Sequence, residues 1–85
     1  MSELENWIIK WFEENTDAEK NEIVKNLDEN YFLKSWMDSL KFISFISDIE
    51  EKFNITFSNN EFQNRSFATI NGISKIIEEK LNENF

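Results

Sequence analysis

The sequence of 85 residues contains no cysteine, no histidine and no proline, and it has one glycine. Without cysteine, the chain has neither a disulfide framework nor thiolate ligands for a metal. Without histidine, it lacks the usual general base near neutral pH and the commonest metal ligand. Because Gly and Pro are so scarce, while Ala, Glu, Lys and Asn occur in most segments, we expect an all-α protein whose helices are joined by polar loops.

Basic residues are also few. Nine Lys and Arg stand against 17 Asp and Glu, which gives a net charge of −8. Nucleic acids and anionic membrane surfaces are therefore not expected as partners, since binding them depends on Lys and Arg. Basic protein surfaces are the natural partners of such a chain. No apolar run approaches membrane-spanning length, and no basic segment followed by an apolar stretch opens the chain, so we expect a soluble, cytoplasmic protein. We also expect it to be a monomer.

Hydrophobic residues make up 40% of the chain, including nine Phe and three Trp. This content suffices for one compact core, so residues 1–85 are expected to form a single domain. The first helix is predicted from Ser2 to about Glu14, with Ser2 and Glu5 as a capping box. Its apolar stripe has helical spacing: Leu4, Trp7, Ile8, Trp11 and Phe12. Ile9 lies off this stripe and is expected to be partly exposed.

A long polar connection follows the first helix. Thr16 or Asp17 is predicted to cap a short helical piece within it, whose apolar residues are Ile23, Val24 and Leu27. Leu27 and three later apolar residues are expected to hold the connection against the core: Tyr31, Phe32 and Leu33. A long connection in a small domain is often functional.

The central helix is predicted from Ser39 to about Phe53. Its apolar residues are expected to share one side and to make this helix more buried than the first: Leu40, Ile43, Ile46, Ile49 and Phe53, with Phe42 and Phe45 widening the face. Asn54 is predicted to end the helix in the left-handed conformation, with Ile55 as the hydrophobic contact just beyond it.

Two further helices are predicted in the C-terminal third. Ser58 or Asn59 caps a short turn near residues 60–64 that carries Phe62. Thr69 caps a last helix that runs to about Leu81. The apolar stripe of this helix is Ile70, Ile73, Ile76, Ile77 and Leu81. Gly72 lies inside the helix, where glycine costs about 1 kcal/mol relative to alanine.

The triplet Asp38-Ser39-Leu40 stands at the head of the central helix. There Ser39 would present a hydroxyl beside backbone N–H groups that have no intrahelical partner, at the positive end of the helix dipole. That environment suits a covalently attached phosphate. The simpler interpretation is that Asp38 and Ser39 only start the helix, because both residue types are preferred N-caps.

The order and spacing of three motifs resemble the acyl carrier protein family, the phosphopantetheine-binding four-helix domains. The motifs are Asp38-Ser39-Leu40, then Ile49-Glu50-Glu51-Lys52-Phe53-Asn54-Ile55, then Phe67-Ala68-Thr69-Ile70. The resemblance covers nearly the whole chain. It implies an all-α, four-helix bundle with a long loop between the first helix and the helix that bears the serine.

Within that family the chain is similar to D-alanyl carrier proteins and related stand-alone carriers. The D-alanyl type has Gly-x-x-Asp-Ser, which Ser35-Trp36-Met37-Asp38-Ser39 resembles with serine in place of glycine. Fatty-acid carriers have glycine at the position of Trp36. They also have acidic residues, where their partner enzymes dock, at the positions of Lys41, Ser44 and Ser47. These departures argue against docking to the standard enzymes of fatty-acid synthesis.

The resemblance implies that Ser39 carries 4′-phosphopantetheine, which a phosphopantetheinyl transferase transfers from coenzyme A with Mg²⁺. Asp38 would help that enzyme place the metal and the serine. The arm would hold an acyl or aminoacyl group as a thioester. Expected partners are the transferase, an adenylating acyl or aminoacyl ligase, and an acyltransferase or synthase that accepts the cargo. Leu40, Trp36 and Met37 would form a docking surface, although Trp36 and Met37 could equally fold the loop onto the core.

There are three rival hypotheses. A carrier homologue that keeps the fold but has lost its modification is one, and the intact Asp38-Ser39-Leu40 argues against it. A small acidic adaptor or inhibitor that acts without a cofactor fits the charge and the helical stripes equally well, and it leaves Ser39 unmodified. An enzyme with Ser39 as nucleophile is not predicted, because the chain has no histidine or cysteine and shows no other constellation of catalytic residues.

Overall fold

The structure is a computed structural model that describes residues 3–83. Within these residues it is all-α, with five α-helices and one 3₁₀ helix, as expected from the sequence. The helices are α1 (Glu3–Asn15), α2 (Lys20–Lys25), α3 (Ser39–Phe53), α4 (Asn59–Phe62), the 3₁₀ helix (Arg65–Ala68) and α5 (Ile70–Glu83). The predicted long connection between the first helix and the helix that bears the serine is present, and the short α2 lies within it. No helix of residues 3–83 is long and apolar enough to cross a membrane.

Helix α1 buries the predicted stripe and one residue more. Trp7 is half-buried and packs edge-to-face on Phe53, with ring centroids 5.4 Å apart. The expectation that Ile9 is partly exposed is wrong, because its side chain is only 2% exposed. Helix α1 contacts both α2 and α5, so its buried face is wider than the stripe alone. The predicted cap at Ser2 lies outside the described residues.

The short helix α2 begins later than predicted, and neither Thr16 nor Asp17 caps it. Its N-cap residue is Glu19, whose side chain makes no capping hydrogen bond. Thr16 instead closes the end of α1, since its hydroxyl donates to the Phe12 carbonyl at 2.6 Å and accepts from the Ala18 N–H at 3.1 Å. Ile23 is the residue by which α2 enters the core.

The connection between α2 and α3 is fastened to the segment before α5. Tyr31 is fully buried, its hydroxyl donates to the Phe67 carbonyl, and its N–H donates to the Ala68 carbonyl at 3.0 Å. The expectation that Leu33 also pins the loop is wrong, because its side chain is 84% exposed. The N–H of Leu33 donates to the Asn30 carbonyl at 3.1 Å, so the chain turns there and carries Leu33 to the surface.

Helix α3 has the predicted bounds but not the predicted buried face. The buried residues of α3 are Phe45, Ile46 and Ile49, whereas Leu40 is 79% exposed and Ile43 is 63% exposed. An α-helix turns by about 100° per residue, so a repeat of three falls about 60° short of a full turn at each step. Leu40 and Ile49 therefore point in opposite directions. The helix is less buried than α1, contrary to expectation.

Local capping patterns were predicted correctly at three further places. Asn54 adopts the left-handed conformation with φ of 55°, and the Ile55 N–H donates to the Glu50 carbonyl at 3.2 Å. Ser58 is the N-cap of α4 and forms a capping box with Glu61. Thr69 caps α5, because its hydroxyl accepts from the N–H of the third helical residue at 2.9 Å. The stripe of α5 is buried at Ile70, Ile73, Ile76 and Ile77 and partly buried at Leu81.

The structure explains why position 72 is a glycine, which the sequence analysis did not predict. A Cβ atom on this residue would lie 1.9 Å from the carbonyl oxygen of Ser66 and 2.7 Å from the Thr69 hydroxyl. No side chain fits at those distances, so the glycine lets the first turn of α5 lie directly against the 3₁₀ helix.

Candidate functional site

Ser39 is the first residue of α3, and the residue before it does the capping. Asp38 is the N-cap: its backbone is extended and its Oδ1 accepts from the Lys41 N–H at 2.9 Å. The Asp38 carbonyl accepts from the Phe42 N–H at 2.8 Å, which begins the helical ladder. The start of α3 therefore does not depend on the Ser39 side chain. The simpler interpretation, in which this serine is a helix cap, is wrong, because Asp38 is the cap.

The surroundings of Ser39 fit a covalently attached phosphate. Its side chain is exposed, and within residues 3–83 its hydroxyl makes no hydrogen bond. In the same residues the N–H groups of Ser39 and Leu40 have no acceptor, as is usual in the first turn of a helix. These donors and the positive end of the dipole of α3 favour an anion at this place.

The loop in front of the serine is held by packing of large side chains. Trp36 is 8% exposed and Met37 is 5% exposed, so both belong to the core in this structure. The ring of Trp36 packs against that of Phe12 with centroids 6.4 Å apart, and the backbone N–H of Trp36 donates to the Tyr31 carbonyl at 3.2 Å. Of the three residues expected to form a docking surface, only Leu40 is exposed.

Ser35 adopts a backbone conformation that favours glycine. Its φ is 63°, in the left-handed region, where a side chain is strained. The backbone turn that precedes Trp36 therefore has a conformation that glycine would adopt without strain, although serine occupies it.

The side of α3 that faces away from the core carries no acidic residue over its first turns. We call this surface, made of Leu40, Ile43, Ser44 and Ser47, the outward face of α3; all four side chains are exposed. Acidic residues appear only further along the helix, at Asp48 and beyond. The sequence analysis missed Ile43 as a surface residue, and the three-residue spacing from Leu40 was the signal that could have found it.

Two grooves flank α3. One is apolar, has a volume of about 210 Å³, and is lined by Phe32, Phe42, Phe62, Asn64, Phe67 and Ala68. The rings of Phe32 and Phe42 lie 5.3 Å apart, and those of Phe62 and Phe67 lie 5.1 Å apart. The other groove has a volume of about 180 Å³ and lies between α1 and α3. Neither groove was predicted from the sequence.

These features define a class of small helical domain that offers an exposed serine hydroxyl at the head of a helix. A family model described as "Phosphopantetheine attachment site" matches residues 6–81. The match covers most of the chain, so the chain belongs to the phosphopantetheine-binding family. Comparison with curated proteins and with solved structures gave no match.

Membership of this family establishes the general biochemistry. Domains of the family are non-catalytic carriers, so the chain is not an enzyme. Their cofactor is covalently attached 4′-phosphopantetheine. They interact with a phosphopantetheinyl transferase and with enzymes that handle acyl groups.

Proposed function

We propose that the protein is an acyl or aminoacyl carrier whose 4′-phosphopantetheine arm is attached to Ser39. The observation that carries this proposal is the exposed Ser39 hydroxyl, which has no hydrogen bond within the described residues and no part in capping α3. Residues 1–85 act as one carrier domain in this proposal. The D-alanyl-like subtype, the cytoplasmic location and the monomeric state expected from the sequence belong to it as well.

The attachment reaction uses one atom of this chain. The Ser39 oxygen forms a phosphoester bond, the pyrophosphate bond of coenzyme A breaks, adenosine bisphosphate leaves, and the transferase takes the serine proton. The first-turn N–H groups of α3 then face the new phosphodiester anion. When bound, the arm supplies the thiol that this cysteine-free chain lacks. Asp38 accepts the capping bond from the Lys41 N–H through Oδ1, and its other carboxylate oxygen would be available to help the transferase place its metal.

The outward face of α3 is the docking surface that this proposal favours. Leu40 and Ile43 are large apolar side chains exposed beside the attachment site, and such exposure commonly marks an interaction surface. Trp36 and Met37 hold the loop in place, since both are buried. The uncharged face supports apolar docking of the adenylating ligase and of the acyltransferase or synthase, in place of the ionic docking typical of fatty-acid enzymes.

Intact mass spectrometry tests the attachment site. The folded protein is incubated with coenzyme A, Mg²⁺ and a promiscuous phosphopantetheinyl transferase. We expect a gain of one phosphopantetheinyl group in the parent chain and no gain in Ser39→Ala. Thr56→Ala is the matched control, because it removes another exposed hydroxyl that lies outside α3 and its outward face, and it should be loaded like the parent. Loading of Ser39→Ala would refute the site. No loading of a folded parent chain would favour the cofactor-free adaptor.

The docking surface is tested by the rate of the same reaction. Ile43→Glu places a charge in the outward face of α3 without touching the core, so we expect loading to slow by at least about tenfold, the effect of losing about 1.4 kcal/mol of contact. Val24→Glu is the control, because Val24 is also partly exposed but lies on α2. Equal rates for the two variants would show that the transferase does not use this face.

A further inference from the structure

The first turn of α5 contains the dipeptide Asn71-Gly72, which is chemically reactive. Asparagine followed by glycine is the sequence most prone to deamidation, because glycine has no side chain to shield its backbone nitrogen. Gly72 is the single glycine of the chain, so no other asparagine has this neighbour. The glycine is fixed by packing, since a Cβ atom there would lie 1.9 Å from the Ser66 carbonyl oxygen. The fold therefore retains a reactive dipeptide at a place where a larger residue does not fit.

Deamidation at this dipeptide joins two neighbouring groups. The backbone nitrogen of Gly72 attacks Cγ of Asn71, the bond from Cγ to Nδ2 breaks, and ammonia leaves with the proton of the Gly72 N–H. Water then opens the succinimide at either of its carbonyl groups, which gives aspartate or isoaspartate. The reaction thus needs a Gly72 nitrogen that is free of hydrogen bonds, an Asn71 side chain that can turn towards it, and water.

In the folded chain both reacting groups are held by hydrogen bonds. The Gly72 N–H donates to the Thr69 hydroxyl at 2.9 Å, which is the capping bond of α5. Nδ2 of Asn71 donates to Oδ1 of Asp28 at 2.7 Å, and the Asn71 N–H donates to the Leu27 carbonyl at 3.0 Å. Side chains of a helix also lean towards its N-terminus, so that of Asn71 leans away from the Gly72 nitrogen. The reaction is therefore blocked while α5 stays capped.

The dipeptide borders a cavity of about 470 Å³ that is open to solvent. Water can therefore reach the succinimide once it forms. The lining of the cavity includes, besides the dipeptide, four ionisable residues: Glu5, Asp28, Lys75 and Glu78. Three of these four are acidic, so a carboxylate formed at position 71 would join a surface that already carries more negative than positive charge.

We propose that Asn71-Gly72 is a deamidation site that the cap of α5 protects, and that its conversion removes the side-chain bond between α5 and the connection from α2 to α3. With aspartate at position 71, two carboxylates would face each other where an amide now donates to Asp28. With isoaspartate, an additional carbon would enter the backbone of the first turn of α5. The modification is irreversible, so it records how often this end of α5 has opened.

The rate of deamidation in the parent chain tests the protection. The protein is kept at neutral pH, either folded in buffer or unfolded in urea. The change in mass of the peptide that contains residue 71 is followed, and isoaspartate is detected with a protein isoaspartate methyltransferase. We expect Asn71 to react at least about tenfold more slowly in the folded chain, because reaction requires local opening. Equal rates in the two conditions would overturn the protection without the use of any variant.

Variants of two caps separate local opening of α5 from unfolding of the whole chain. Thr69→Val removes the acceptor of the Gly72 N–H, and we expect deamidation about fivefold faster, the factor by which a lost cap shifts the opening equilibrium. Thr69→Ser keeps a hydroxyl and should react like the parent. Ser58→Ala is the matched control, because it removes the hydroxyl cap of α4 instead. No acceleration in Thr69→Val, or equal acceleration in Ser58→Ala, would refute protection by the cap of α5.

Urea unfolding tests the effect of conversion on the bond to Asp28. Asn71→Asp imitates one product, and Asp28→Asn combined with Asn71→Asp exchanges donor and acceptor, so the bond can form again. We expect the ratio of folded to unfolded protein to be about fivefold higher in the exchanged pair than in Asn71→Asp alone.

Glu29→Gln combined with Asn71→Asp is the control for this exchange. It removes the same charge from the neighbouring residue, and it should behave like Asn71→Asp alone. If the exchanged pair is no more stable than this control, conversion does not act through the bond to Asp28, and that part of the proposal is wrong. None of these experiments involves the arm at Ser39, so their results are independent of the proposed function.

Discussion

Asp38 and Ser39 are adjacent residues of similar size, both of which commonly cap helices, yet the structure divides their roles. The carboxylate of Asp38 caps α3 by accepting from the Lys41 N–H, and the hydroxyl of Ser39 faces solvent. This division keeps the group proposed for modification out of the hydrogen bonds that hold the helix. Attachment at Ser39 would therefore leave the helix start as it is.

Stability measurements on two alanine variants check this division. Asp38→Ala should lower the free energy of unfolding by about 1 kcal/mol, the usual cost of a lost cap. Ser39→Ala should change it by no more than about 0.5 kcal/mol, as for a surface substitution away from special features. Urea unfolding followed by circular dichroism gives both values. A larger loss for Ser39→Ala than for Asp38→Ala would contradict the assignment of the cap.

A second prediction at the residue scale concerns Ser35, whose φ of 63° is costly for a residue with a side chain. Ser35→Gly should stabilise the protein by about 0.5–1 kcal/mol, because relief of the strain exceeds the extra entropy that glycine loses on folding. Ser47→Gly, in the interior of α3, is the control and should destabilise by a similar amount. Thermal unfolding compares the two, and a loss of stability in Ser35→Gly would show that the turn is not strained.

At the scale of elements, sequence patterns predicted where helices begin and end better than which way they face. The caps at Ser58, Thr69 and Asn54 were predictable because each depends on bonds to residues within a few positions. The stripe of α5 was predictable because Ile70, Ile73, Ile77 and Leu81 are separated by steps of three, four and four, which keep them on one side of a helix. The stripe of α3 was not, because equal steps of three wind around the helix and end on the opposite side.

The features that could not be predicted from the sequence depend on contacts between distant parts of the chain. Trp36 and Met37 looked equally suited to docking and to packing, and the folded structure decides for packing, since both are buried and Trp36 packs on Phe12. The head of the central helix could be predicted from Asp38-Ser39-Leu40, whereas the groove beside it could not. That groove depends on how α1 lies against α3, which no local pattern contains.

The prediction at the scale of elements concerns the stability of a variant at Gly72. Glycine to alanine inside a helix normally stabilises by about 1 kcal/mol. Here the added Cβ would meet the Ser66 carbonyl, so Gly72→Ala should instead destabilise by about 1–3 kcal/mol, the usual cost of overpacking. Thermal unfolding measures the change. Lys75→Ala, at an exposed position of the same helix, is the control and should be nearly neutral. A stabilised Gly72→Ala would mean that the 3₁₀ helix moves freely away from α5.

For the whole molecule, the described residues join into one core around Tyr31, which contacts both Phe12 and Phe45. Its hydroxyl satisfies the carbonyl of Phe67 across 36 residues of sequence. A single side chain thus links α1, α3 and the segment before α5. Loss of this link should be felt by the entire fold rather than by one helix.

The pH dependence of stability follows from the same side chain. Burial raises the pKa of the Tyr31 hydroxyl well above its usual value. Because the folded state holds this proton more tightly than the unfolded state, the contribution to stability is complete below about pH 10, the unfolded pKa, and is lost as the pH rises further.

We therefore expect the parent chain to lose stability above about pH 10, and Tyr31→Phe to lose the part of that dependence due to this tyrosine. At neutral pH, Tyr31→Phe should cost about 1–3 kcal/mol, because the Phe67 carbonyl is left without its partner. Urea unfolding at several pH values measures both effects. The same alkaline slope in the parent and in Tyr31→Phe would contradict the assigned role.

Three hydrogen bonds fasten the loop before α3 to later residues: two from Tyr31, to Phe67 and Ala68, and one from the Asn71 N–H to the Leu27 carbonyl at 3.0 Å. These hydrogen bonds have a consequence during synthesis of the protein. A nascent chain that has left the ribosome only as far as α3 contains Ser39 but lacks the residues whose hydrogen bonds fix the loop before it. The loop gains its partners only when the polypeptide through Asn71 has emerged. A transferase that requires a folded acceptor would consequently act only on nascent or released chains in which residues up to Asn71 have emerged, and shorter nascent chains would not receive the cofactor.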